Sequence, residues 1–167
     1  YYIENLTVAI AKHRRTFAFR KFVEAPFIFK HGGYYYLFVS YDFCCRGLKS
    51  DYKVVVGRST RVTGPYVDKD GRELTRGGGS LVVDSNDEFV AIGHSAAYHF
   101  DGKDYFMAHG YSRSEDGSSK LFFREMTWDE EGWPLVSAGE KSVESIFLLV
   151  FCQIAVSLFF DKRFGLY

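Results

Sequence analysis

Val23-Glu24-Ala25-Pro26-Phe27-Ile28-Phe29-Lys30-His31-Gly32-Gly33-Tyr34-Tyr35-Tyr36-Leu37-Phe38-Val39 decides the fold of this chain. Two aromatic and β-branched runs flank a Gly-Gly pair, which is the pattern of a tight β-hairpin. Pro26 cannot donate to a strand ladder and so favours a strand start. Glu24 therefore enters the hairpin beside apolar neighbours. A partly desolvated carboxyl holds its proton more readily and is suited to general-acid work. The competing reading is a surface glutamate ahead of a buried strand.

The same pattern returns about 70 residues later. Glu24 through Leu37 aligns with His94 through Met107, so that Gly32 falls on Gly102, Tyr35 on Tyr105 and Glu24 on His94. Lys53-Val54-Val55-Val56 matches Lys120-Leu121-Phe122-Phe123, and Gly64-Pro65-Tyr66-Val67 matches Trp133-Pro134-Leu135-Val136. Each unit reads as four strands in two hairpins. A four-stranded unit repeated at this length predicts propeller blades, because such a sheet cannot bury both faces alone. In a propeller the first strand of each blade lines the central channel, which brings Glu24 and His94 to one axis.

The expected fold is therefore all-β, with about two blades present. Residues 1–22 read as the end of a preceding blade, with Thr7 to Ala11 as its last strand. Residues 23–92 and 93–138 read as the two blades, and residues 139–167 as an apolar tail. A propeller closes with about four to eight blades. The simplest account is thus a piece of a longer protein, whose open blade edges invite self-association. Aromatic residues make up 19% of the 167, which suits pleated, half-buried surfaces better than helices.

Formal net charge is zero. The locally basic stretch from Lys12 to Lys21 is short and mixed with phenylalanine, so it reads as a solvated face; no nucleic-acid partner is expected. Ile146 to Phe160 is nearly all apolar but shorter than the roughly 20 residues of a spanning helix. A cap on an open blade, or sequence unrelated to the domain, is preferred to a membrane span. Cys44, Cys45 and Cys152 match no zinc spacing. Adjacent cysteines rarely bridge in a strand, so free thiols are expected. Asn5-Leu6-Thr7 is a glycosylation triplet of a kind that arises often by chance.

Several segments, in order and with matching spacing, resemble the arabinanase branch of glycoside hydrolase family 43. They are Glu24-Ala25-Pro26-Phe27, Tyr36-Leu37-Phe38-Val39-Ser40, Phe43-Cys44-Cys45-Arg46-Gly47, Ser50-Asp51-Tyr52-Lys53, Val56-Gly57-Arg58-Ser59, Thr63-Gly64-Pro65-Tyr66-Val67-Asp68, Gly77-Gly78-Gly79-Ser80, Gly93-His94-Ser95 and Trp128 to Pro134. The resemblance covers residues 7 to 136. It implies a five-bladed propeller that cleaves arabinan with inversion, outside the cell. Glu24 matches the general acid. His94 matches a histidine near the channel axis that helps hold calcium or another metal through water. Phe43, Cys44, Cys45 and Tyr52 match positions lining the sugar cleft, although core packing competes for each aromatic. No organic cofactor is implied, and the partner is a polysaccharide or oligosaccharide.

An inverting glycosidase also needs a carboxylate base about 6.5–9.5 Å from the acid. The resemblance places that base, and a third acidic residue, in blades preceding this stretch. Asp42, Asp51 and Asp104 do not match either position. The expectation is half a catalytic site, belonging to an arabinan-degrading enzyme. A non-catalytic or degenerate carbohydrate-binding propeller is the alternative, and a truncated inactive product is a third.

Overall fold

The computed structural model describes residues 23–137. They form eight strands: β1 (Val23–His31), β2 (Tyr34–Tyr41), β3 (Lys53–Ser59), β4 (Ser80–Val83), β5 (Phe89–Phe100), β6 (Lys103–Ser112), β7 (Ser119–Trp128) and β8 (Pro134–Val136). Sequential antiparallel pairing gives two four-stranded meanders, β1-β2-β3-β4 and β5-β6-β7-β8. These are two blades of a propeller, as the hairpin pattern predicts.

The sheets meet through alternate side chains. Side chains two apart share a face of a strand, so Tyr36 and Phe38 of β2, with Val54 and Val56 of β3, point to the second sheet. There they join Ile92, Ala97, Phe106, Phe122 and Trp133 in one buried cluster. Phe38 and Phe106 meet ring to ring across the seam, 5.8 Å apart and tilted by 58°. Truncating either to alanine costs about 3–5 kcal/mol, because the cavity cannot collapse between two sheets.

The intervening residues Leu37, Val39 and Val55 face the other way, against Tyr66 and Leu74 from the long connection between β3 and β4. Two-sided burial explains why β2 and β3 read as continuous apolar runs. At the hairpin end of β2, Arg58 lies between the rings of Tyr34 and Trp133, 4.4 and 4.3 Å from their centroids. Its Nη1 donates to the Glu131 carbonyl at 2.6 Å, bolting the β7–β8 turn onto the first sheet.

Three details differ from the sequence reading. The first is register. Gly32-Gly33 and Asp101-Gly102 are the turn residues of the two hairpins, and Glu24↔Ser40 and Phe27↔Phe38 correspond to Gly93↔His109 and Ala96↔Met107. The repeat offset is thus 69, since 93 − 24 = 69 and 107 − 38 = 69. Glu24 answers Gly93, and Ala25 answers His94. Both of the latter occupy a β-bulge with left-handed backbone, φ 51° and 56°. A one-residue slip exchanges the faces of a strand, so blade symmetry does not by itself pair Glu24 with His94.

The second is the fourth strand of the first blade. It is Ser80–Val83, while Gly64 to Val67 belong to the β3–β4 excursion, where Val67 bridges Arg58 and Glu73. Buried Asp68 organises that excursion by accepting from the amides of Asp70, Arg72 and Gly79. The third is the blade boundary. The sheets separate at residues 84–88, so the division expected at 92/93 runs through β5. The lead-in 1–22, the glycosylation triplet, Cys152 and the apolar tail lie outside the described residues. No helix among the described residues is long and apolar enough to cross a membrane.

Candidate active site

Glu24 stands at the start of β1, one residue before the bulge at Ala25, and pairs with Ser40 of β2. It is exposed, so desolvation is not what prepares it. Its organiser is Tyr52, whose hydroxyl donates to Glu24 Oε1. The Tyr52 ring is buried at 2% exposure. Burial first, and the neighbouring Glu24 carboxylate second, raise the Tyr52 hydroxyl well above the ordinary tyrosine value. Tyr52 therefore keeps its proton throughout the neutral range and acts as a fixed donor.

The second sheet is fitted around this pair. A Cβ on Gly93 would lie 2.0 Å from Cδ1 of Tyr52, so β5 passes the ring only as glycine. The Ile92 N–H donates to the Tyr52 carbonyl at 3.1 Å. The His94 N–H donates to Ser40 Oγ at 2.8 Å, the residue paired with Glu24. Glu24 and His94 are thus joined through Ser40, by a route other than the repeat symmetry. The His94 imidazole is exposed and stacks on His109, with centroids 5.6 Å apart and planes 18° apart.

Among the described residues no group of three or more histidine, cysteine or acidic side chains forms a metal site. Two stacked imidazoles do not make the six to eight oxygen ligands that calcium takes. These residues alone do not fit a calcium shell, and His94 would enter one only through water.

The loop from β2 to β3 carries the remaining candidates. Cys44 and Cys45 are bonded to each other in a vicinal disulfide, which corrects the expectation of free thiols. Periodicity and spacing carry no signal for such a bond. Cys44 packs against Tyr52, Ala91 and Tyr111, while Cys45 is exposed. Phe43 carries the Arg46 guanidinium 3.8 Å above its ring, and its N–H donates to Asp51 Oδ1 at 2.8 Å. Phe43, Cys44 and Cys45 thus sit on one short loop whose far end is Tyr52. Being buried, Tyr52 offers the site its hydroxyl and not a ring face.

Asp42 pairs with Lys53 at 3.1 Å. Asp104 is tied at the hairpin end to His31, His99 and Trp128 Nε1. Together with Asp51, these three aspartates all have structural partners. The sequence assigns no role to Ser40 and Gly93 beyond the matching segments that contain them, and does not single out His109 or Tyr111. Counting outward from the Asp101-Gly102 turn brings position 94 to within one of 109, the bulge at His94 moving the pairing to Gly93, and so points to His109; the other three depend on contacts between sheets.

Comparison with known proteins adds the following. The profile of glycosyl hydrolases family 43 matches residues 5–134. An extracellular exo-alpha-(1->5)-L-arabinofuranosidase of Cellvibrio japonicus is 50% identical over 123 residues, 74% of this chain and 35% of that protein. An extracellular endo-alpha-(1->5)-L-arabinanase of Bacillus subtilis is 38% identical over 112 residues, 67% of this chain and 33% of that protein. Among solved structures, an exo-1,5-alpha-L-arabinanase from a bovine ruminal metagenomic library superposes with TM-score 0.68 at 53% identity, covering 69% of this chain and 38% of that one. A Cellvibrio cellulosa alpha-L-arabinanase complexed with arabinohexaose gives TM-score 0.67 at 50% identity, over 69% and 36% of the two chains. The chain spans about a third of the length of these curated relatives.

Proposed function

The chain belongs to glycosyl hydrolases family 43, and from that premise we propose that it is the acid-bearing part of an inverting glycosidase acting on arabinan or a related arabinose-containing polysaccharide. One observation carries the assignment: the exposed Glu24 carboxyl is held by the protonated Tyr52 hydroxyl. Because Oε1 accepts from Tyr52, the acidic proton of Glu24 resides on Oε2. From there it passes to the glycosidic oxygen as the bond to the anomeric carbon breaks. The water that attacks the opposite face needs a carboxylate base. Asp42, Asp51 and Asp104 have the other partners described above, and the resemblance to family 43 implies a base carried by a further blade.

Phe43 and the Cys44–Cys45 bridge form the saccharide-facing wall of the site, and His94 borders it from the second sheet. The relatives' names support action on α-1,5-linked arabinose chains and secretion. A disulfide supports an oxidising compartment independently. Tyr98, Phe100, Leu121 and Leu135, which the second sheet leaves exposed, form the surface through which the two blades associate with further blades or with another copy.

A reducing-sugar assay on linear arabinan tests this reading, comparing the 167 residues, a form extended upstream and Glu24→Gln in each. The extended form hydrolyses arabinan, and Glu24→Gln lowers its rate by about 10²–10⁴. Equal rates with and without Glu24 overturn the assignment. Arabinohexaose binding without hydrolysis in every form would instead mark a carbohydrate-binding module.

A further inference from the structure

We propose that Tyr111 of the second blade is a positioning residue for the saccharide wall of the first blade, holding the Cys44–Cys45 loop from across the seam; this rests on the wall assigned above. Tyr111 is the next-to-last residue of β6, and its hydroxyl reaches the loop twice. It accepts the Cys45 N–H at 2.9 Å and donates towards Cys45 Sγ at 3.9 Å. Its ring, 9% exposed, packs with Tyr52, Ala91 and Cys44.

The loop needs such a hold. Asp42, Cys45 and Gly47 have φ of 71°, 66° and 54°, and two of these three are L-residues for which left-handed backbone is unfavourable. Asp51 pins the loop at its base through the Phe43 amide, but its tip has different supports. The Cys44–Cys45 bond joins neighbours and fixes their mutual orientation without fixing where the pair sits. Tyr111 supplies that position. Behind it, the β6–β7 turn packs so tightly that a Cβ on Gly117 would lie 2.6 Å from the Leu48 amide nitrogen. The loop therefore meets the second sheet at two places, Cys45 and the Gly47–Leu48 backbone.

Tyr111→Phe keeps the ring and removes both hydroxyl contacts. Hydrogen exchange on the unliganded 167-residue chain reads the positioning directly. The Cys45 amide exchanges about tenfold faster or more, while ladder amides such as Leu37 and Val55 are unchanged. Affinity for arabinohexaose, measured by calorimetry, falls by about fivefold, the worth of one hydrogen bond. Cys44→Ser/Cys45→Ser weakens it comparably, and combining the two changes adds little further, as residues acting as one unit do.

An unchanged Cys45 exchange rate overturns the proposal. Weakened binding in the cysteine variant alone overturns the role of Tyr111 and leaves the wall standing. Faster exchange with unaltered affinity in both variants overturns the proposal and the wall together, without touching Glu24.

Discussion

The hydroxyl of Tyr52 donates to the carboxylate of Glu24 across 28 residues of sequence, from beneath a glycine of the neighbouring sheet. Nothing local to β1 or to the residues just before β3, where Tyr52 lies, places them together. The contact arises because the loop after β2 returns at Tyr52 just where β1 begins.

Tyr52→Phe removes the donor and leaves the ring. Stability falls by about 0.5–1.5 kcal/mol, the net worth of one hydrogen bond. On the function proposed above, kcat of the upstream-extended form on arabinan falls by about tenfold while KM stays within a factor of two, since the hydroxyl would serve the proposed acid and not the sugar. Steady-state kinetics check this; an effect confined to KM would place Tyr52 in contact with the saccharide instead.

Gly93→Ala forces a methyl into the Tyr52 ring, 2.0 Å from Cδ1. Overpacking of this kind costs about 3 kcal/mol. The Tyr52 ring must move, so activity falls along with the thermal midpoint. Gly102→Ala is a useful comparison, because its Cβ meets nothing within 4 Å and only its positive φ, 73°, is strained. A smaller loss in Gly93→Ala than in Gly102→Ala would mean the ring is not seated against β5.

Cys44→Ser/Cys45→Ser changes global stability by about 1 kcal/mol or less. A bond between neighbours closes the shortest possible loop and barely restricts the unfolded chain. Denaturant unfolding measures it, and a loss of several kcal/mol would show that the bridge supports the fold as well as the loop tip.

Tyr66 contributes a pH dependence. Burial raises its hydroxyl to about 12, above the ordinary value near 10. The folded state therefore binds more protons than the unfolded state between those values. Stability from Tyr66 is fully present below pH 10 and declines as pH rises towards 12. Tyr36 and Tyr52, also raised by burial, act in the same direction. Urea midpoints between pH 9 and 12 show a downward slope that Tyr66→Phe reduces; an unaltered slope in that variant would remove Tyr66 from the account.

Much of the fold was legible locally. The Gly32-Gly33 and Asp101-Gly102 turns are short-range signals, and the runs of β2 and β3 identify themselves by β-branched and aromatic content. The register was misread because glycine was matched to glycine. Gly32 occupies the first turn position, whereas Gly102 occupies the second, and only turn geometry separates them. Gly64 to Val67 resembled a closing strand because it shares Pro-aromatic character with Trp133 to Val136; Leu74 and Tyr66 folding back on β2 decide otherwise. At the candidate site, the sequence singled out Glu24 and His94, which the structure brings together through Ser40. Its supports, Tyr52, Ser40 and Tyr111, act between segments far apart in the chain, and no periodicity carries that information.

Ser40 links the two blades by a single hydroxyl that receives the His94 amide. On the function proposed above, the hold on Glu24 is consequently set both within its own meander, by Tyr52, and at the join, by Ser40 and by Gly93 over the Tyr52 ring. A slight parting of the blades would free the Tyr52 ring from Gly93 and loosen the proposed acid while every ladder remained paired, so such a molecule would look native by circular dichroism and yet be chemically silent.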